Sequence, residues 1–506
     1  MNDRGDIEWS PAGGTPAAWR AGVNADQWLA LATTFRNDGA RLLALWASDD
    51  RACAAYLTGG GLRVAESRVD LGTPEVPSLG DLFPAAARME RAAFDLSGIR
   101  VQREDARPWL RHASWPSDFH PLRSGAASPE GFAAASDAYA FVRVAGDGVH
   151  EIPVGPVHAG IIEPGHFRFS VVGEKVLRLE ERLGYVHKGI ERRFRDFNAL
   201  DAHRLAARVS GDSAVAFSWA YCRALESLAG CEAPARAAWL RGVALELERL
   251  ANHLGDLGAL GNDAGFAFAL AQFSRLKEEL LRATASAFGQ RYLMDFVVPG
   301  GVAQDVSVEP GRNLVARLAT IDAEVRGMRR IYDDHPGLHD RFSGAGRVEP
   351  ALAAQLGLTG LAGRASGQRF DLRVDHPFAP YDQAQVRLAS DERGDVFARV
   401  AVRFEEALES IRLCCAWLDA LPSGPIHELL RLPPDDACGY GLIEGWRGPV
   451  FVALETGPGG AIRRCHPHDP SWQNWPVLEH AIIGNIVPDF PLMNKSFNLS
   501  YSGHDL

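Results

Sequence analysis

Side chains that could do chemistry gather in a few short polar stretches of this 506-residue chain. RVSGDS (208–213) sets Ser210 and Ser213 around a Gly-Asp pair, and FNLSYSGHDL (497–506) groups Ser500, Ser502, Gly503, His504 and Asp505. Hydroxyls hydrogen-bond readily but are hard donors, unsuited to a soft metal. A His beside an Asp, as at 504–505, can hold and pass a proton. His158 lies in a Gly/Pro loop, GPVHAG (155–160). His187 and Glu191 stand four apart in YVHKGIERRF (185–194), on one face if the helix has begun there. Asn252, His253 and Asp256 fall on an amphipathic pattern, and Asp263 follows in GNDAG. Taken singly, each His reads as a hydrogen-bonded structural residue, and the RFRD and ERRF charges as solvated or paired. The seven cysteines (Cys53, Cys222, Cys231, Cys414, Cys415, Cys438 and Cys465) form no C-x-x-C, so neither a zinc site nor a disulfide scaffold is indicated. Cys414 and Cys415 sit in a helical pattern and read as core. There is no G-x-G-x-x-G and no P-loop.

The elements that must carry these residues divide the chain. Residues 1–112 mix short β-like runs (RLLALWA, AAYLTG, FDLSGIRV) with helical ones (ADQWLALATTFR, AAARMERAAF), which predicts a small α/β domain. Residues 113–150, rich in Ala, Ser, Gly and Pro, read as a linker. From 151 the pattern changes. Phe167, Phe169 and Val171 alternate up to Gly173-Glu174 and the alternation resumes through Leu177 and Leu179, a hairpin signature. Over 236–257, Trp239, Val243, Leu247, Leu250, Leu254 and Leu257 recur every three or four residues, and Phe404, Leu408, Ile411, Cys415 and Leu418 do so over 398–420. Each predicts a helix with one buried face. The second domain, 151–506, is therefore expected to be mainly helical with a little sheet, and the whole chain α+β.

A net charge of -11 without a basic run argues against nucleic acid. No apolar run reaches membrane-spanning length. The polar, acidic start MNDRGDIEWS is not a targeting signal, so a cytoplasmic location is expected.

Longer blocks carry a resemblance. VPSLGDLFPAAARMERAAFDLSGI (76–99) resembles the signature of the C subunit of respiratory complex I. GPVHAG…GYVHKGIERRF, ALELERLANHLGDLGALGNDAG, VVPGGVAQD, GLTGLAGRASGQRFDLR and GDVFARVAVRFEEALESI are similar to successive blocks of its D subunit. C and D fused in one chain resemble the large subunit of membrane-bound [NiFe]-hydrogenases of the formate hydrogenlyase and hydrogenase-4 type. The likeness runs from about residue 75 to 506 and is loose before it.

The resemblance implies a comparison of sites. In the hydrogenases two C-x-x-C pairs hold nickel and iron. Here Ser210 and Ser213 occupy the first pair's positions and Ser500 and Gly503 the second's, so no metal is expected, and no cofactor bound by this chain alone. Where many such large subunits lose a tail after metal insertion, no processing is expected here. In the D subunit, a His and a Tyr hold a quinone headgroup, and an Asp partners the His. The His and the Asp correspond to His158 and Asp263, expected close together as the pocket for a quinone or another acceptor, while Ala207 takes the Tyr position unless Tyr221 or Tyr501 substitutes. The implied role is the large subunit of a complex-I-like, hydrogenase-related membrane oxidoreductase complex acting in electron transfer coupled to ion translocation. The alternatives are a quinone-reducing subunit of the NADH-quinone oxidoreductase type, or a non-catalytic scaffold. The implied partners are an iron–sulfur small subunit resembling the complex I B subunit, with a [4Fe-4S] cluster adjacent to this chain, and membrane-anchor and ion-pumping subunits. That would place the chain peripherally on the inner face of the cell membrane. Closing such a site further requires residues 497–506 to be buried, with Ser500 and Ser502 hydrogen-bonded near Ser210 and Ser213.

Overall fold

The computed structural model describes residues 7–506 apart from 71, 73, 103–104, 124, 127–130, 132–134, 137 and 158–161. Helices and strands are mixed as the α+β class requires. The largest sheet has eight strands, in the order Ile462–His468, Gly448–Thr456, Cys438–Gly445, Ser10–Thr15, Ala18–Val23, Gly61–Arg68, Arg51–Thr58 and Arg41–Ser48. It joins the two ends of the sequence. Ser10–Thr15 pairs in parallel with Cys438–Gly445, Gly13 opposite Gly439, and the pairing places the C-terminal β-meander beside the N-terminal strands.

Local chemistry explains the N-terminal elements. Helix Ala25–Asn37 opens with a capping box in which Asn24 and Gln27 satisfy each other's backbone amides, and it buries Trp28 and Leu31. Helix Ala86–Ser97 continues through the FDLS that the alternation had assigned to a strand; Gly98, at φ 78°, ends it, and only Arg100–Gln102 is extended. Its buried Asp95 accepts from the backbone amides of Trp109, Leu110 and Arg111, fixing the chain as it leaves the first segment. The described residues of 113–150 have no helix or strand before Val149. The hairpin pairs His166–Val172 with Lys175–Arg182 around Gly173, and Val149–Val154 adds a third strand.

Five long helices make the rest of the body: Ala214–Ala229, Ala235–Asp263, Ala267–Phe288, Val308–Asp334 and Val396–Asp419. Ala235–Asp263 is buried well beyond the single face its apolar spacing suggested, with Glu246, Glu248, Arg249 and His253 all inside. Each of these polar groups is paired, which is what lets a charged helix lie in a core. Arg249 meets Glu246 at 3.3 Å and His253 meets Glu406 at 2.8 Å. Glu406 also takes Arg364, which reaches Glu444 at 2.9 Å, and Arg373 bridges Glu246 and Asp371. Helix Ala214–Ala229 rests directly on the large sheet. Side chains there would collide with it: a Cβ on Gly441 would lie 1.8 Å from the Ala220 carbonyl, and one on Gly439 would lie 2.5 Å from that of Ala224. This close seat fixes the start of the helix, where the serine loop RVSGDS ends.

A candidate site between the serine loop and the C-terminal segment

The loop 208–213 leads into helix Ala214–Ala229. Its Ser213 makes no capping bond; instead the Glu248 carboxylate, from the neighbouring long helix, accepts from Val215 N–H at 2.7 Å and Ala216 N–H at 3.2 Å. Burial pushes the Glu248 carboxyl up to about 8, against these amides. Asn252 donates to the Asp212 carbonyl and ties the loop to the same helix.

The C-terminal segment enters from the other side. Residues 499–506 are all buried. Ser500 caps the short helix Tyr501–Asp505 by accepting from Gly503 N–H, and its backbone is pinned by Ser471 and Trp475. The Ser210 and Ser500 hydroxyls are 2.9 Å apart, and Ser210 also donates to Asp212. Arg447 closes the assembly. Its guanidinium spans both carboxylate oxygens of Asp212, at 2.8 and 2.5 Å, reaches the Ser213 hydroxyl at 3.4 Å, and donates to the Asn498 carbonyl. Burial opposes the charge on Asp212, but Arg447 holds its carboxyl below the usual carboxylate value. Asn498 continues the chain of contacts to Asp256, which pairs with Arg403 at 2.9 Å.

Gly503 faces Asp469. One Asp469 oxygen accepts from Ser471 N–H; the other, Oδ2, has no partner among the described residues and would lie 2.5 Å from a Cβ at 503. Burial raises this carboxyl. His504 stacks on Trp472, ring centres 3.9 Å apart, and contacts Asp505 at 2.9 Å, so the adjacent pair shares a hydrogen bond. Burial lowers the His504 pKa, favouring the neutral ring. Asp505 accepts from Val186 N–H as well. Ser502 departs from expectation: its N–H goes to Glu163, not to the serine loop.

The remaining sequence-selected residues are dispersed. His158 lies outside the described residues, and with it the expected approach to Asp263. Asp263 is the last residue of its helix; burial raises its carboxyl while Lys495 draws it back. Tyr221 donates its hydroxyl to the Ala199 carbonyl, and Tyr501 accepts from Asn494. His187 precedes the helix, which begins at Ile190, so it shares no helical face with Glu191; it contacts the Asp505 carbonyl, while the buried Glu191 pairs with Arg464 and His466. Two cavities flank the assembly. One of about 20 Å³ is lined by Glu191, His466, His468, Trp472 and Leu506. The other, of about 230 Å³, is lined by Gly211, Asp212, Glu248, Asn252, Lys277 and Thr284 among others. Arg447, Glu248 and Asp469 went unassigned in the sequence.

Among the described residues no group of three or more His, Cys, Asp or Glu could hold a metal ion, and no helix is long and apolar enough to cross a membrane. Comparison with known proteins places this architecture. Residues 21–130 match the family model of the respiratory-chain NADH dehydrogenase 30 Kd subunit, and residues 263–433 that of the 49 Kd subunit. Formate hydrogenlyase subunit 5 of Escherichia coli (strain K12) is 32% identical over 86% of this chain and 78% of its own length. The fused C/D subunit of the NADH-quinone oxidoreductase of Bacteroides fragilis (strain ATCC 25285) is 28% identical over 79% of both chains. A solved archaeal structure, the membrane-bound sulfane sulfur reductase, a respiratory membrane complex, shares the fold at a TM-score of 0.67 and 22% identity, covering 71% of this chain and 98% of that one. The chain thus belongs to the family of fused 30 Kd and 49 Kd large subunits shared by complex I and the membrane-bound hydrogenases.

Proposed function

We propose that this chain is the large subunit of a complex-I-like, hydrogenase-related membrane oxidoreductase complex that carries no nickel–iron centre and takes part in electron transfer coupled to ion translocation. In this reading residues 1–112 act as the C-like part and 151–506 as the D-like part, joined by 113–150. The observation that carries it is how the four metal-ligand positions are used. Ser210 and Ser500 are spent on each other at 2.9 Å, Ser213 faces Arg447, and the space beside Gly503 is taken by the Asp469 carboxylate. A nickel–iron centre needs soft thiolates, and this hard, hydrogen-bonded set does not fit one. No step is therefore assigned to a metal in this chain.

Electrons would pass through an adjacent [4Fe-4S] cluster held by an iron–sulfur small subunit, since the scattered cysteines here offer no cluster site. Membrane-anchor and ion-pumping subunits would complete the complex, with this chain peripheral on the inner face of the membrane. The closed serine contact favours a scaffold role over substrate chemistry at the old metal position. Quinone reduction is the other reading, resting on the resemblance of His158 and Asp263 to headgroup-site residues; Tyr221, already committed to Ala199, is not a free second donor. The test is purification of the whole complex from cells supplied with nickel and maturation factors, followed by metal analysis and identification of the co-purifying subunits. Iron without nickel, together with an iron–sulfur small subunit and membrane subunits, is expected. Stoichiometric nickel that disappears in Ser500→Ala would overturn the proposal.

A further inference from the structure

A third cavity, of about 210 Å³, shares no lining residue with the two beside the serine loop and lies where the N-terminal segment meets the helical body. Arg36, at the end of helix Ala25–Asn37, and Arg41, at the start of strand Arg41–Ser48, line one side; Gln355 and Gln368 line the other. Neither arginine has a carboxylate partner among the described residues. Arg36 lies over the Phe83 ring and gives one weak bond to the Gln355 carbonyl. Arg41 lies over Phe370, its guanidinium carbon 4.3 Å from the ring centre, with no hydrogen bond or ion pair among the described residues. The buried Arg364, Arg373 and Arg403 pair with carboxylates, and the buried Arg223 and Arg399 are held by backbone carbonyls; Arg41 has neither among the described residues. The carboxylates whose fields reach Arg41 are Glu444 and Asp375, both beyond ion-pair distance, and burial lowers its pKa.

Helix Ala86–Ser97 starts just past the lining residues Pro84 and Ala85, but its Ala86 and Ala87 amides already donate to the Phe83 and Pro84 carbonyls, so the two arginines are the donors this cavity offers. In a chain of net charge -11, two guanidinium groups without an ion-paired carboxylate among the described residues line one hollow and make a local anion field.

We propose that this cavity binds a phosphate dianion, as a small phosphomonoester or as inorganic phosphate. Two arginines supply the planar N–H forks that match phosphate oxygens, and the doubled charge of a phosphate answers both of them, which a single carboxylate would not. The hollow has room for a small organic group beyond the phosphate itself. Its position across the seam means that an occupant would touch Arg36 and Arg41 from the first segment and Gln355 and Gln368 from the second at once.

The experiment is calorimetric titration of the full chain at low ionic strength with inorganic phosphate, glycerol phosphate and, as a monoanion control, acetate. Saturable binding of a phosphate compound and none of acetate is expected. Arg41→Gln and Arg36→Gln should each weaken it about ten-fold, the loss of roughly one charged hydrogen bond. Arg41→Lys should recover part of it, and Arg312→Gln, on an exposed helix face, should change nothing. Tighter binding of glycerol phosphate than of inorganic phosphate assigns the site to a phosphomonoester; equal binding assigns it to free phosphate. Circular dichroism of each variant without ligand separates lost binding from lost folding, and Arg36→Gln with Arg41→Lys keeps the test intact if Arg41→Gln does not fold. No saturable binding of either phosphate compound, or binding unchanged in the folded Arg36→Gln and Arg41→Gln proteins, would refute the site.

Discussion

Arg447 joins segments that the sequence holds 235 positions apart, and nothing near it in the chain announces that partner. Glu248 is a second residue of this kind. In an unfolded chain a glutamate titrates near its ordinary value; in the fold burial pushes it up to about 8. The folded state thus binds this proton more tightly. The stability Glu248 contributes is complete below about pH 4.5 and falls as pH rises through 8. Glu248→Gln keeps an oxygen for Val215 N–H but cannot ionise, so between about pH 5 and 9 the wild type should lose stability relative to it, by on the order of 1–4 kcal/mol. Urea unfolding of both proteins across that range checks this, and a gap that stays constant with pH would count against it. What could be read beforehand at this scale was residue type: hydroxyls and a glycine at four positions where the resemblance implied thiolates. Arg447 and Asp469 could not be read, because a buried charge is recognised by its partner, and their partners arrive through tertiary packing.

At the scale of elements, legibility followed periodicity. The helices at 235–263 and 396–419 and the hairpin at 166–182 were visible because each buries a face at its own repeat. The strands Ser10–Thr15 and Cys438–Gly445 were not. SPAGGT has no alternation to read, and its place in the sheet depends on a partner hundreds of residues away. The FDLS error has a related cause: four residues with mixed spacing took the state of the helix they continue. Glycine in Cys438–Gly445 had a meaning that only the packed helix discloses. Gly441→Ala would drive a methyl into the Ala220 carbonyl, so helix Ala214–Ala229 must lift from the sheet, at a cost of about 1–3 kcal/mol or more. A fall in melting temperature is expected, while Gly22→Ala, which meets nothing within 4 Å, should leave it nearly unchanged. Equal melting of the two variants would mean that the close seat is not what holds the helix.

For the whole molecule, the shared sheet makes the two halves of the sequence one physical unit. Arg51 pairs with Glu455 at 3.1 Å, and Arg88 pairs with both Glu181 and Glu479, so charges as well as strands cross between them. Cutting the chain at a protease site inserted in the exposed turn at Asp147-Gly148 should therefore leave the fragments together. They should co-elute on a sizing column under native conditions and part only in denaturant; two separate native peaks would show that the linker, not the sheet, holds them. The fold class and the long helices were legible at this scale, but the seam was not, since composition marks where a sequence changes character and not where its strands return. That return has a cost in time. Gly13 must wait for Gly439 to leave the ribosome, 426 residues later. At about 5–20 residues per second this is roughly 20–85 seconds during which the first strand is a nascent, half-paired edge. Its synthesis is thus the window in which this protein is most open to wrong partners, and a slowed ribosome would widen it.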